Sequence, residues 1–590
     1  MLGLIGGVGL LVGLRQYAAI HGYFDPASAG SATIAQTAAL PEVQESTPSA
    51  GVQLPKLDLP SEIPANVQSP EIRYLGMAWN AQLSLAAAVG GPQTTRGSLM
   101  EKHGVNFHFI REDDVGKMQT QLISFARSLA KGNAQPSDGA HFMAIMGDGS
   151  AATLAGIWPE LQKLGNDYLP EVVGSPGYSR GEDKLMGPAE WKDNPGLMRG
   201  SLVAGFLRDG DWNIGVNYAG SNNIPNNPDE HTYDPDAVNW YAADDFLKAA
   251  EAYISGVCED RPVVHAGKRT GESKHICVNA VVTWTPGDVN IAKGRGGIVS
   301  IASTKEYRSQ MPATIIGIRK WDHDNKPLLE EALSAMYEAA DQIKVYPDWL
   351  QRGAQAEAKV YKEQDAEYWA KYFKGVREAD KTGIMVDLGG SSVNNLQDAI
   401  LLFGLIPGKP NLFEATYTTF GNIVTHQYPK LVPSFPPVSQ VLNTAYTQDL
   451  QRRQPAVPVV PADTPKILSE TEIKNKLSSK NWQINFDTGK ASVAESSIPQ
   501  LVEMKNGLNV SNGLPIEIQG HTDNTGNPDN NLRLSQARAE FVKNWLVTKG
   551  FIDPDLFVKV KGYGDTQPAF TNETDSGRAK NRRVVVIVGR

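Results

Sequence analysis

With 590 residues, the chain is long enough for several domains that each bury a full core. Its 56 Lys and Arg against 65 Asp and Glu leave a net charge of −9, so no basic field is available to hold phosphate backbones and nucleic acid is excluded as a partner. Only two cysteines occur, Cys258 and Cys277. In an oxidising compartment they would close a loop of about 20 residues worth roughly 3 kcal/mol; in the cytosol they would be two buried thiols.

Residues 1–22 read as a signal or anchor segment. Leu2–Leu14 is uncharged, rich in Gly and Leu, and shorter than the ~20 residues that span a bilayer. A signal-peptide core, with Ala27-Ser28-Ala29 as cleavage element, and a membrane anchor both fit; the reading adopted is an inner-membrane anchor that leaves the rest in the periplasm. Residues 23–70, rich in Ala, Ser, Pro, Thr and Glu and without sustained period, predict a flexible linker.

From Glu71 strands and helices alternate: strand Ile72–Met77, helix Ala81–Val89, strand Val105–Ile110, helix Met118–Ala130, strand His141–Met146, helix Ala151–Leu164. This is the grammar of βαβ units and a parallel sheet, in which ligands bind beyond the carboxyl ends of the strands. The turns Trp79-Asn80 and Gly147-Asp148-Gly149-Ser150 are therefore the first places to seek a ligand. The pattern continues through strand Tyr168–Val173, the glycine-punctuated turn 174–183, the segment Ser201–Leu207, helix Ala242–Gly256 and strand Val278–Val282. The last ends in Trp284-Thr285-Pro286-Gly287-Asp288, again an aromatic face and hydroxyls at a strand's C-terminal end. Strands Ile298–Ala302 and Ala313–Ile318 and helices from Pro327 to about Val376 complete the unit, and Asp322-His323-Asp324 reads as a solvated turn. Asp148 constrains the ligand, since a carboxylate in the pocket must share a proton or pair with Arg to accept an anion such as phosphate.

From about Glu71 to Tyr446 the order of elements resembles bacterial solute-binding proteins of the nitrate, taurine and phosphate ABC-transporter type. The supporting stretches are Ala78-Trp79-Asn80 to Gly90-Gly91, Trp284–Asp288, and Gly296–Ser300 leading to Thr304-Lys305-Glu306-Tyr307. The resemblance implies two α/β lobes, here 71–450, that clamp a small solute, with phosphate or another small anion as the candidate and an inner-membrane transporter or other envelope protein as partner. Trp79, Asn80, Asp148, Ser150, Trp284 and Thr285 are the solute-binding candidates, chosen by their position at strand ends. In the alternative reading the body is a structural or signalling module that recognises a protein instead of a solute.

Pro455, Pro458, Pro461 and Pro465 mark a stiff linker at 451–468, and 469–590 forms a smaller α/β domain. Strand Pro515–Gln519 runs into the turn Gly520–Gly526, and a helix follows from near Asn530 to Lys549. Asp523 at the strand's end and Arg538 two turns into the helix offer an acceptor and a forked donor to one cleft, a receptor for a zwitterion. Paired only with each other and exposed, they would contribute ~0–1 kcal/mol. The elements Phe-Asp-Thr-Gly (486–489), Gly-His-Thr-Asp-Asn (520–524), Leu-Ser-x-x-Arg-Ala (534–539), Gly-Tyr-Gly (562–564) and Gly-Arg-x-x-Asn-Arg-Arg (577–583), in this order, resemble an OmpA-like peptidoglycan-binding domain. That resemblance implies the diaminopimelate stem peptide of Gram-negative cell wall as ligand. Asp523 would accept from its ammonium and Arg538 would take its carboxylate, with Thr522, Asn531 and Arg582 lining the site and His521 and Arg583 structural. No His-Glu-x-x-His, Gly-x-Ser-x-Gly or Walker motif and no Cys-His pairing stands out, so neither enzyme activity, cofactor nor metal site is expected. The chain is thus expected to moor in the wall and present a solute-binding body in the periplasm.

Overall fold

The computed structural model describes residues 54–453 except 266, and beyond them 473, 476–484, 486, 491, 493, 495–508, 514–550 and 552–589. The expectations for residues 1–53, for Pro455, Pro458, Pro461 and Pro465, and for Asp487-Thr488-Gly489 lie outside the described residues. Among the described residues no helix is long and apolar enough to cross a membrane.

Strands β1 (Glu71–Gly76), β2 (Asn106–Arg111), β3 (Phe142–Met146) and β4 (Pro170–Gly174) build most of a first sheet. The chain then passes through β5 (Gly177–Ser179) into a second lobe made of β6 (Lys184–Gly187), β7 (Leu202–Gly205) and β8 (Asn239–Ala242). After a hairpin, β9 (Cys258–His265) and β10 (Lys268–Cys277), come β11 (Ala280–Thr283) and β12 (Val299–Ser303), and β13 (Ala313–Ile318) returns to the first sheet. The first sheet has order β2-β1-β3-β13-β4 and the second β12-β6-β11-β7-β8. β13 runs antiparallel between β3 and β4, so two crossings, before β6 and before β13, join the lobes.

The sequence explains these elements locally. β3 and β13 are continuous apolar runs buried at every position, as strands covered on both faces must be. The helix Val115–Ala130 starts at Asp114, whose side chain accepts from the Lys117 N–H. The helix Phe246–Ser255 starts in the same way at Asp245 and stops at Gly256, whose φ of 71° ends the helical path. The small strands β14 (Val376–Ala379), β15 (Met385–Leu388) and β16 (Ser391–Val393) lead into the helix Leu396–Leu402, set by a capping box between Asn395 and Asp398. The terminal domain has its own sheet, β17 (Lys476–Trp482), β18 (Ile516–Gly520), β19 (Phe557–Gly562) and β20 (Val584–Gly589), in the order β17-β20-β18-β19. Its core, with Trp482, Leu501, Ile516, Ile518, Val542 and Val586, is distinct from that of the body.

Three features differ from the sequence reading or were absent from it. Residues 54–70, expected as part of the flexible linker, run as a strap along the body. Their carbonyls satisfy buried donors: Trp349 Nε1 donates to Leu57 O (3.1 Å) and Gln342 Nε2 to Pro55 O (3.1 Å). Arg352 donates to Pro60 O (2.8 Å), Ser61 O (2.7 Å) and Gly90 O (2.7 Å). A sequence rich in Pro and poor in period is compatible with such a strap because it needs no ladder of its own. Asp322, read as part of a solvated turn, lies fully buried in the helix Arg319–Asp324 while His323 beside it is exposed. The hairpin β9–β10, whose strands carry charge on exposed positions, was not recognised; its ends are joined by the disulfide between Cys258 and Cys277.

The strap yields a stability prediction. Arg352→Ala removes three charge-assisted hydrogen bonds and leaves their carbonyls unpaired, so the body should lose about 3 kcal/mol. Denaturant titration with limited proteolysis between residues 54 and 61 checks this; an unchanged midpoint with an intact strap would refute it.

Candidate functional site

In the terminal domain the helix Pro528–Gly550 connects the parallel strands β18 and β19. It lies directly on their backbone: a Cβ at Gly520 would sit 2.1 Å from Ser535 O, and one at Gly562 would sit 2.2 Å from Gln536 N. The two glycines therefore fix which helix face meets the strands. Asn531, Ser535 and Arg538, spaced at four and three residues, share that face. Asn531 Nδ2 donates to Asp523 O (3.3 Å) and Thr525 O (3.2 Å), tying the loop to the helix, and Gly564 N donates to Ser535 Oγ (2.9 Å).

Asp523 follows β18 and is nearly buried. Its Oδ1 accepts from Thr525 N (2.9 Å) and its Oδ2 from Arg582 (2.5 Å), at the end of the short helix Asp575–Asn581. Burial works to raise its pKa, but the hydrogen bonds from Arg582 and Thr525 outweigh this and hold the carboxyl below its usual range. The Arg538 guanidinium lies 4.6 Å over the Phe486 ring. Its pKa is lowered by burial and then by the charge of Arg582, against the pull of Asp523. Two arginines thus act on one aspartate. The Thr522 hydroxyl is buried without a protein partner, while its N–H donates to Gly564 O (2.9 Å). His521 stacks on Tyr563 with ring centroids 5.6 Å apart, and burial and Arg583 lower its pKa to about 4, so its ring is neutral. Asp523, Arg538 and Arg582 come together, with Thr522 and Asn531 in the framework around them.

The close helix contact is testable. Gly520→Ala should cost about 2 kcal/mol by forcing the helix off the strand and moving Arg538 with it. Thermal melting reads this cost; a variant of unchanged stability would contradict the geometry.

In the body, the C-terminal ends of β1, β3, β7 and β11 meet the two crossings. Trp79 Nε1 donates to Asp183 Oδ2 (3.1 Å), and the backbone and side-chain N–H groups of Asn80 reach Glu182 Oε1 (3.4 and 3.3 Å). Asp148 Oδ2 accepts from Gln310 Nε2 (2.8 Å). Trp284 stacks on Phe246 (3.6 Å, 16°) and donates to Ala78 O (3.0 Å), linking the second lobe to the end of β1. Of the six candidates, Trp79, Asn80 and Asp148 gather with carboxyls and Trp284 adjoins them through Ala78. Ser150 and Thr285 turn to their own elements. Ser150 Oγ contacts Met146 O (3.1 Å) and Thr314 Oγ1 (3.2 Å), and Thr285 Oγ1 donates to Asp288 Oδ1 (2.9 Å).

The junction of the two lobes contains more acid than the sequence reading selected. Glu182, Asp183, Asp209 and Asp211 join Asp148, all buried. Burial first, then the charges of Asp183, Asp209 and Asp148, raise the Asp211 pKa well above the carboxylate range. Burial likewise leads the upward shift of Asp148, Glu182 and Asp183. Asp183 and Asp211 contact each other, which is a hydrogen bond only while one of them holds a proton. The nearby Lys184 is engaged elsewhere, with Asp288 Oδ2 (2.5 Å) and Asp387 O (3.0 Å). A signal for Asp209 and Asp211 existed: Asp209-Gly210-Asp211 stands between a strand and a helix just as Gly147-Asp148-Gly149-Ser150 does.

The fold and the two sites define a mixed α/β protein, a two-lobed body followed by a C-terminal OmpA-like domain. Residues 485–582 match the family model described as the OmpA family. In sequence the chain is similar to outer membrane protein Omp38 of Acinetobacter baumannii, 31% identical over 147 residues that make up 25% of this chain and 41% of that protein. It is also similar to the peptidoglycan-binding protein ArfA of Mycobacterium bovis, 44% identical over 73 residues, 12% of this chain and 22% of ArfA. The chain thus spans less than half the length of these relatives. Among solved structures, the body is similar to the periplasmic nitrate-binding protein NrtA from Synechocystis, with 10% identity and a TM-score of 0.44 over 68% of this chain and 94% of that one.

Proposed function

We propose that the protein is a cell-envelope binding protein of the periplasm that grips peptidoglycan through its C-terminal domain and holds a small solute between the lobes of its body. The observation that carries the reading is the single carboxylate of Asp523 flanked by Arg538 and Arg582, inside a segment that matches the OmpA family. A nearly buried aspartate, the buried fork of Arg538 and the more exposed fork of Arg582 suit the ammonium and carboxylate that one end of a diaminopimelate residue presents together. The name of ArfA, a peptidoglycan-binding protein, supports the same ligand. For the body, support comes from buried polar groups gathered where two lobes meet at strand ends, the usual place for a ligand in such sheets. On this reading the protein works by binding, not catalysis; the segment 1–22 holds it at the inner membrane, and a transporter there is the natural recipient of the solute.

Co-sedimentation of the full-length protein with purified sacculi tests the mooring. Binding to diaminopimelate-type wall, and little to lysine-type wall, whose stem lacks the side-chain carboxylate, is expected. Equal retention on both, or on neither, would sink the assignment.

A further inference from the structure

We infer that the interlobe cleft takes an organic cation with several N–H donors, an alkylammonium or a guanidinium, in preference to an anion. This rests on the reading of the body as a small-solute binder and names the chemical class of the solute.

The argument starts from donors and acceptors. Buried polar atoms in folded proteins are almost always paired, so an unpaired one asks for a ligand or a compensating proton. Asp148 Oδ1, Asp183 Oδ1 and both carboxylate oxygens of Asp211 are buried and meet no side-chain N–H donor, the Asp183–Asp211 contact being satisfied only by a shared proton. Two neutral amide oxygens share this condition independently of charge. Asn80 Oδ1 and Gln310 Oε1 are fully buried and unpaired, while the N–H groups of the same amides are directed at Glu182 and Asp148. The side chains thus offer a row of acceptors and spend their own donors on the carboxyls. An anion such as nitrate or phosphate needs the reverse arrangement. Placed here it would face at least three acidic groups, and Lys184, the buried base beside the cleft, already pairs with Asp288.

A bare metal ion would also welcome oxygen acceptors, but it needs them to converge. Among the described residues, the acidic, histidine and cysteine groups that draw three ligand atoms within 4.8 Å of one another are Cys258-His275-Cys277 and Asp234-Asp236-His265, both outside the cleft. Among the described residues the cleft carboxylates do not converge in threes, which suits donors held apart on a carbon frame. Apolar side chains pack directly beside these acids: a Cβ at Gly210, between Asp209 and Asp211, would clash with Met311 Cε at 2.8 Å and Met146 Sδ at 2.9 Å and sit 3.2 Å from Asp148 Oδ1, so the two methionines border the acidic cluster. The raised pKa values of Asp183 and Asp211 fit as well, because a cation that displaces their shared proton gains two charged partners at once.

The test is calorimetric titration of the full-length protein in an amine-free buffer with putrescine, spermidine and agmatine. Choline, nitrate, phosphate, methanesulfonate and calcium chloride serve as comparisons. Saturable binding of at least one of the three amines is expected, with choline, which has no N–H, at least tenfold weaker. Asp211→Asn and, separately, Asp148→Asn should each weaken that binding at least tenfold with the thermal transition retained, so that a folding defect in one variant leaves the other decisive. Tighter binding of nitrate, phosphate or methanesulfonate would overturn the cation inference but keep the body as a solute binder, and preference for calcium or choline would overturn the N–H requirement. Silence towards all eight probes would count against both this inference and the solute reading, in favour of a protein partner.

Discussion

Replacing Asp523 by Ala is expected to weaken the hold of the full-length protein on diaminopimelate-type sacculi by about 30- to 5,000-fold, the range that corresponds to losing one partner of a desolvated, hydrogen-bonded charge pair, about 2–5 kcal/mol. The expectation follows from where the carboxylate sits. It is nearly buried, it receives Thr525 N and Arg582, and its pKa is depressed, so it remains an anion whenever an ammonium arrives. Removing it strips the site of its negative charge and leaves Arg538 and Arg582 facing each other. Arg538→Ala should cost a similar amount. Arg538→Lys should recover little, since a point charge cannot replace the planar fork over Phe486. Arg582→Ala should cost less, because that side chain is 49% exposed. Sacculus binding isotherms for the four variants check the ranking, and an Arg582→Ala loss greater than that of Asp523→Ala would contradict it.

The second large effect concerns pH. The carboxyls of Asp148, Glu182, Asp183, Asp211 and Glu357 all titrate above their ordinary range, burial being the leading cause for each. Unfolded, they titrate near 4. Between that value and the raised folded ones the folded chain binds more protons than the unfolded chain, so stability is full below about pH 4 for these groups and is lost as pH rises. His141 and His521 act oppositely but lower down. Burial depresses them to about 3 and about 4, so their contribution is lost only as pH falls below about 6.5. His103 is raised by Glu338 and Glu331 against the cost of burial and therefore adds to the loss on the alkaline side. Asp288, locked to Lys184, adds its charge to the upward shift of Glu182. The body's thermal transition should accordingly drop between pH 6.5 and 8.5, and less steeply in Asp211→Asn, which removes a carboxyl without removing its volume. Calorimetric scans of both proteins across that range decide it; parallel curves would mean that Asp211 does not carry the effect.

Much of the architecture was legible because it rests on local pattern. The apolar runs of β3 and β13, the caps at Asp114 and Asp245, and the Gly520–Gly526 turn before its helix announce themselves within a few residues. What escaped depends on distant partners. Arg582 was named as a site residue, but its hydrogen bond to Asp523 across 59 positions is one that only the β18–β20 register brings about. Asp183 became part of the cleft because Trp79, 104 positions earlier, folds against it from the other lobe. The strap at 54–70 read as a tether because its hold comes from donors on Trp349 and Arg352, nearly 300 positions away, which no local period reveals. Asp322 shows the converse error: three polar residues in a row suggested solvent, yet one side of a short helix faces the core.

The central claim is that Asp523 and Arg538 together receive one zwitterionic end of a diaminopimelate residue. Calorimetric titration of the full-length protein with free meso-diaminopimelate tests it most directly. One saturable site, lost in both Asp523→Ala and Arg538→Ala and not reproduced by a diamine or a dicarboxylate of the same length, is the predicted result. No saturable binding, or binding that survives both substitutions, would contradict it.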